Sequence, residues 1–285
     1  MASTGDVALG LTAVPSGHTA RKERRTLMAT ASPWTRKQTL AALHVYFQLP
    51  FGQLHQRNPL IVQLASWMER TPGAVALKLV NFASLDPQVR ASGRSGMGHA
   101  SRLDEAVWRE LNAQWDAVAA EAALNYEEYG QSQGVPPGAE VLDEVPELVE
   151  GRMTLATIQM RVNQARFRRS ILASYNARCC ISGLAEPRLL VASHIVPWSL
   201  DTQNRLNPHN GLCLSALHDK AYDTGLITVL PDFTVRVSSQ LKGAGVDGFA
   251  RESLASYDGL RITLPERFRP EPAFLESHAR RFQFL

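Results

Sequence analysis

Two stretches carry side chains whose types and spacing suit hydrolytic chemistry. "VASHIVPW" at 191–198 ends a short apolar run on His194, and "HNGLCLSALHDKAYDTG" at 209–225 holds His209, Asn210, His218, Asp219 and Asp223. Histidine is the side chain whose ordinary pKa lies close to neutrality, so it serves as a base where a carboxylate or an amine does not. Histidines and aspartates are also ligands for divalent cations. Asp219 and Asp223 are one helical turn apart and share a face. Each residue has a plain alternative: a core histidine in a strand, an aspartate offsetting a helix dipole, an Asp-Thr-Gly helix end.

The elements that must position these residues read as α+β. A basic helix is expected over 153–177, then a strand-like run at 188–196, a polar loop, and a second short strand leading into a helix. Ser215 caps that helix and makes His218 its third residue. The alternating stretch "LITVLPDFTVRVSS" at 226–239 reads as a hairpin. In the basic helix Phe167, Ile171, Leu172 and Tyr175 form an apolar face. Arg161, Arg166, Arg168, Arg169 and Arg178 crowd the rest with almost no acidic residue between them. Such a face suits a phosphate backbone, with Arg166 and Arg169 the first choices for contact.

The N-terminal half has a different texture. Residues 1–33 mix Gly, Ser, Thr and Pro with a basic knot at 21–25 and read as a mobile tail. From 34 to 130 the apolar residues recur every three or four positions, the pattern of an all-α domain. Thr71 and Pro72 start a new helix directly after another ends near Arg70, which resembles a helix-turn-helix. Lys78 and Arg70 would then touch DNA, whereas Val75, Leu79 and Phe82 belong to a core in any compact helical domain. The Gly-, Pro- and carboxylate-rich stretch 131–151 reads as a linker, leaving 152–285 as the second domain.

Bulk properties set limits. The chain has 285 residues, 45% of them hydrophobic, with a net charge of +3, so an affinity for nucleic acid must come from local clusters. Its three cysteines supply neither a disulfide framework nor a four-cysteine zinc site. No run is apolar and long enough to span a membrane, and no export signal is recognisable, so a cytoplasmic protein is expected.

The ordered pieces "NQARFRRSILASYNARCCISG" (163–183), "VASHIVPW" (191–198) and "HNGLCLSALHDKAYDTGLITV" (209–229) resemble the HNH endonuclease family. The apolar "AFLESHARRF" at 273–282 looks like the tail of such proteins. The resemblance covers about residues 160 to 230 and implies a ββα-metal nuclease domain that hydrolyses phosphodiester bonds in DNA with a divalent metal, Mg²⁺ or Mn²⁺. His194 is then the base that takes a proton from the attacking water, and His218 the first choice of metal ligand. Asn210 matches the central Asn of the family, which orients the base or joins the metal; the orienting role is the one expected.

Two departures from the family pattern stand out. Many relatives carry Asp or His before the base as a ligand, where this chain has Ser193, a poor ligand for a hard cation. His209, Asp219 and Asp223 are the nearest residues to complete the shell. Relatives with structural zinc carry two Cys-x-x-Cys pairs, and here only single thiols stand at Cys180 and Cys213, so structural zinc is not expected. The reading is a restriction-type or modification-dependent defence nuclease whose helical domain helps select the target. A double-strand break would call for a homodimer or two nicks. The rival is a non-catalytic DNA-binding or regulatory protein with a degenerate HNH domain.

Overall fold

The computed structural model describes residues 32–93, 100–136, 155–243 and 245–285. The chain divides into two compact units, Met1–Trp34 and Thr35–Leu285. The mobile tail expected at 1–33 lies outside the described residues up to 31, as does the expected linker from 137 onward.

Within the larger unit the first five described helices begin where the sequence offers caps. Helix α1 (Arg36–Gln48) starts from a capping box made by Thr35 and Gln38. Asn58 caps α2 (Pro59–Trp67), Thr71 caps α3 (Pro72–Leu85) and Asp86 caps α4 (Pro87–Ala91), each with proline at the first helical position. Ser101 and Asp104 form a second capping box on α5 (Arg102–Ala113), and α6 (Trp115–Gln131) follows directly. These caps satisfy amides that a helix start leaves without partners, and proline removes one of them. Every residue of α1 from Thr39 to Phe47 is buried, because α3, α5 and α6 surround it.

The α2–α3 corner has the expected cap, but the cations assigned to DNA there do not reach outward. Lys78 is 4% exposed and its Nζ lies 2.5 Å from Asp104 Oδ1, on a carboxylate with no exposure at all. Burial pulls the Lys78 pKa down against the pull of that carboxylate. The Arg70 guanidinium is tied to Gln38 Oε1 through Nε at 3.1 Å and Nη2 at 2.8 Å. Both residues hold the helices together, which corrects the expectation that they read DNA.

The second half begins with α7 (Leu155–Ser174), which packs against α1 on one side and the first sheet on the other. Strand β1 (Leu190–His194) pairs antiparallel with β2 (Gly211–Ser215), with Ser193 opposite Leu212 and His194 opposite Gly211. Helix α8 (Ala216–Asp223) leaves β2 from the Ser215 cap, completing a β-β-α unit. The hairpin β3 (Ile227–Val229) and β4 (Val235–Val237), the short α9 (Gly248–Ser253) and α10 (Pro272–Arg281) close the fold. The architecture is α+β, with a helical N-terminal part.

Two glycines are demanded by packing. A Cβ on Gly211 would overlap Ile171 and come 2.7 Å from Phe167 Cζ, so the missing side chain lets α7 lie against β2. Gly225 has φ +71° where α8 ends, and a Cβ there would run into the Phe282 ring. Helix α10 returns to α8: His278 stacks on Tyr222 at 3.6 Å between centroids and 12° between planes, and its Nδ1 bonds Thr228 Oγ1 at 2.8 Å.

The helical part and the β-β-α part share one interior. Arg267 has no exposure; its guanidinium donates to the carbonyls of Tyr46, at 2.7 Å, and Leu49, and lies 4.4 Å over the Tyr46 ring. Phe268 beside it packs edge-on against Tyr46 and Trp115. These contacts capture the two ends of α1 and α6 in the same core as the C-terminal part.

Candidate active site

His194 ends β1 with its ring held on three sides. Phe167 of α7 stacks on it at 3.8 Å and 12°, and Trp198 meets it edge-on at 5.5 Å and 88°. Nε2 donates to the Arg205 carbonyl at 3.0 Å. A carbonyl only accepts, so Nε2 carries the proton and Nδ1 keeps a lone pair, the form a base needs. Burial lowers the His194 pKa, while the Arg205 carbonyl and the Asp223 charge work the other way. The ring is therefore neutral, and able to accept a proton, at neutral pH.

Asn210 stands behind His194. Its Oδ1 accepts from Val196 N–H at 2.8 Å, and its Nδ2 donates to the carbonyls of Val196 at 3.1 Å and Asn204 at 3.3 Å. Its own carbonyl accepts from Ile195 N–H at 3.0 Å. A side chain so fully used is buried at 1% exposure. It pins the chain just after His194, which supports the orienting role over the ligand role.

Helix α8 lies against β1, with Asp219 next to Ser193 and the Asp223 charge within reach of the His194 ring. Asp219 is half-buried, and its pKa is raised by burial first and by the like charge of Asp223; the Ser193 hydroxyl and Lys220 act to lower it. Ser193 is 3% exposed and its Oγ has no well-formed hydrogen bond, although the Asp219 carboxyl is its polar neighbour. A buried hydroxyl without a well-formed hydrogen bond, next to a carboxylate that feels a second like charge, is a setting that a cation relieves. Among the described residues no three His, Cys, Asp or Glu side chains are grouped to hold a metal ion. Two carboxylates with water and substrate phosphates are what Mg²⁺ commonly uses, so the residues fit such an ion as partial ligands.

The other expected ligands lie elsewhere. His218 is 3% exposed, with Nε2 donating to the Ser253 carbonyl at 2.9 Å and Nδ1 bonded to Ser215 Oγ at 2.9 Å. The Cys179 thiol, 3.5 Å from Nδ1, closes that side. With both nitrogens engaged in the core, His218 ties the start of α8 to α9 and is not a metal ligand. His209 is turned toward the helical part, its Nδ1 donating to the Arg269 carbonyl at 2.7 Å and its ring edge-on to Trp115 and Phe268. It is not a ligand either.

The basic helix is only partly available. Arg166 is paired with Glu127 of α6 at 2.5 Å, both side chains nearly buried, and Arg168 donates to the carbonyls of Leu190 at 2.6 Å and Pro187 at 2.9 Å. Arg166 therefore joins the two halves and Arg168 anchors the entry to β1, correcting the backbone-contact role given to both. Arg169, which donates to Gln48 at 3.3 Å, borders with Arg168 an open groove of about 1010 Å³ between α7 and residues 48–53. Arg161 lies half-buried earlier on the same helix.

Phe167 and Trp198 were legible only as apolar residues, and nothing in a sequence announces that one of them stacks on a histidine 27 positions away. The fully used Asn210 was findable because the motif names it. No curated protein matches the chain. Residues 179–230 match the HNH endonuclease family. That stretch contains His194, the pinned Asn210 and both carboxylates just described, and it marks an HNH endonuclease segment within the chain.

Proposed function

We propose that this protein is a divalent-metal-dependent DNA endonuclease of restriction or modification-dependent type. The observation that carries the reading is the committed Nε2 of His194, which leaves Nδ1 as a neutral acceptor on a ring that feels the Asp223 charge, with Asp219 in turn coupled to Asp223. His194 Nδ1 takes the proton from the water that attacks phosphorus, and Phe167 and Trp198 keep the ring from turning as it does so. Asn210 holds the backbone after the base in register. Asp219 and Asp223 would hold Mg²⁺ or Mn²⁺; the bound ion would offset negative charge growing on the phosphate and the departing 3′ oxygen. Arg161 and Arg169 are the remaining residues of the basic helix for the DNA backbone.

The test is nicking of supercoiled plasmid by the purified full chain, with Mg²⁺, Mn²⁺ or chelator, on unmodified, methylated and hydroxymethylated DNA. Metal-dependent nicking supports the nuclease, and a preference among the three DNAs supports the modification-dependent role. The rival reading, a DNA-binding protein with a spent nuclease domain, draws on Ser193 in the place of a ligand; DNA binding without nicking under every metal would favour it. The homodimer rests only on the need to cut two strands.

A further inference from the structure

The peptide joining Arg205 to Leu206 is gripped at both ends. Its carbonyl accepts from His194 Nε2–H at 3.0 Å, and its N–H donates to Asp116 Oδ1 at 2.8 Å. The other carboxylate oxygen, Asp116 Oδ2, accepts from Arg205 N–H at 3.0 Å. Asp116 sits in the first turn of α6, in the helical part and outside the stretch that matches the family. We propose that Asp116 is a positioning residue for His194: a carboxylate lent by the helical part that fixes the tautomer and the plane of the base through the Arg205–Leu206 peptide. The proposal rests on the reading of His194 as the base.

Three observations favour this over a mere loop clasp. First, the rest of the loop is closed by its own residues: Asp201 accepts from Gln203 N–H at 2.9 Å and Asn204 N–H at 3.1 Å, and Asn210 holds the Asn204 carbonyl. The N–H groups handed to a carboxylate from another element are those of Arg205 and Leu206, and the second belongs to the peptide whose carbonyl touches His194. Second, Asp116 turns away from work nearer at hand, since no side chain caps the start of α6. Third, the chemistry runs in the useful direction. A negative charge on the N–H side of a peptide polarises it and makes its carbonyl oxygen a better acceptor, and hydrogen-bonded chains reinforce one another in this way. A histidine base is commonly oriented by an acceptor on its far nitrogen, often a carboxylate. Here a peptide stands between the carboxylate and the ring.

The test is made on the full chain. ¹⁵N spectra of histidine-labelled protein near pH 8, with His194→Ala used to assign the signal, should show wild-type His194 as a single tautomer, protonated at Nε2 and slow to exchange with solvent. Asp116→Asn removes the charge and sets an amide NH₂ against a peptide N–H; it should yield mixed tautomers and faster exchange. Nicking by that variant should fall about 10- to 100-fold, the range typical when a group behind a reacting ligand is lost, with DNA affinity by fluorescence anisotropy unchanged. An Asp116→Asn protein with a wild-type tautomer and exchange rate overturns the proposal, even if nicking falls. Should that variant fail to fold, the wild-type spectrum decides alone, because a mixed or Nδ1-protonated His194 there also overturns it. The spectra need no cleavage: a wild-type protein that never nicks DNA but shows the Asp116-dependent tautomer refutes the nuclease reading and leaves the positioning intact.

Discussion

Acid should loosen the grip of α10 on α8 before it unfolds a protein of this kind by general charge repulsion. His278 is 4% exposed, stacked on Tyr222 and bonded to Thr228. Burial lowers its pKa to about 4; the Tyr222 backbone opposes the shift and Arg281 adds to it. The unfolded chain holds a histidine near the usual 6.5, so it binds the proton more readily than the folded protein does. The histidine therefore contributes stability that is fully present above about pH 6.5 and is lost as the pH falls from there toward about 4. Worked through for one site, the loss is about 2 kcal/mol by pH 5 and about 3 kcal/mol by pH 4. Urea unfolding followed by tryptophan fluorescence from pH 7.5 to 4.5 should show it, compared with His278→Gln, which keeps a hydrogen-bonding side chain but cannot titrate. Wild type should lose about 2 kcal/mol more than the variant between pH 7.5 and 5, by the same linkage. Parallel curves for the two proteins would refute the reasoning.

His194→Ala should reduce nicking at least about 100-fold, as expected for loss of a general base, while DNA affinity measured by anisotropy stays at the wild-type level. Asp223→Asn should raise the Mn²⁺ concentration needed for half-maximal nicking about tenfold or more; a titration curve that overlays wild type would remove Asp223 from the ion. His218→Ala should instead lower urea stability by about 2 kcal/mol, the cost of leaving the Ser253 carbonyl and Ser215 unmatched, and leave the metal titration of the remaining activity in place. Lys78→Met strands the Asp104 carboxylate and should cost about 3–5 kcal/mol without altering the salt dependence of DNA binding; a flatter salt slope would return Lys78 to the DNA surface.

Local rules carried the reading of the fold far. Thr71 before Pro72, Ser215 before α8 and the alternating run at 226–239 are signals a few residues long, and the elements they announce are present. The segment that holds the proposed site was legible for the same reason: His194, Asn210 and the two aspartates sit in one short ordered pattern. What escaped was decided by partners distant in sequence. Lys78 looks like a surface cation until Asp104, 26 positions away, is seen to bury it, and Arg166 looks like a phosphate ligand until Glu127 claims it. His218 was misassigned because a histidine in the first turn of a helix has the same sequence signature whether its ring meets a metal or the Ser253 carbonyl. Asp116 carried no signal at all, since its acceptors are offered to backbone amides 89 and 90 residues later.

Arg267 bears on how such a protein is inherited and re-engineered. Its guanidinium is held by the carbonyls of Tyr46 and Leu49 and by the ring faces around it, with no exposure to solvent. A shortened gene beginning at residue 152 would encode the whole family segment, yet its product would present a stripped arginine and the apolar Phe268 to water where α1 had been. Transplanting the nuclease onto a foreign targeting module would meet the same obstacle. Recombination that moves this catalytic segment between proteins must therefore carry residues 35–131 along with it, or replace the Tyr46 and Leu49 carbonyls with equivalent acceptors on the new host.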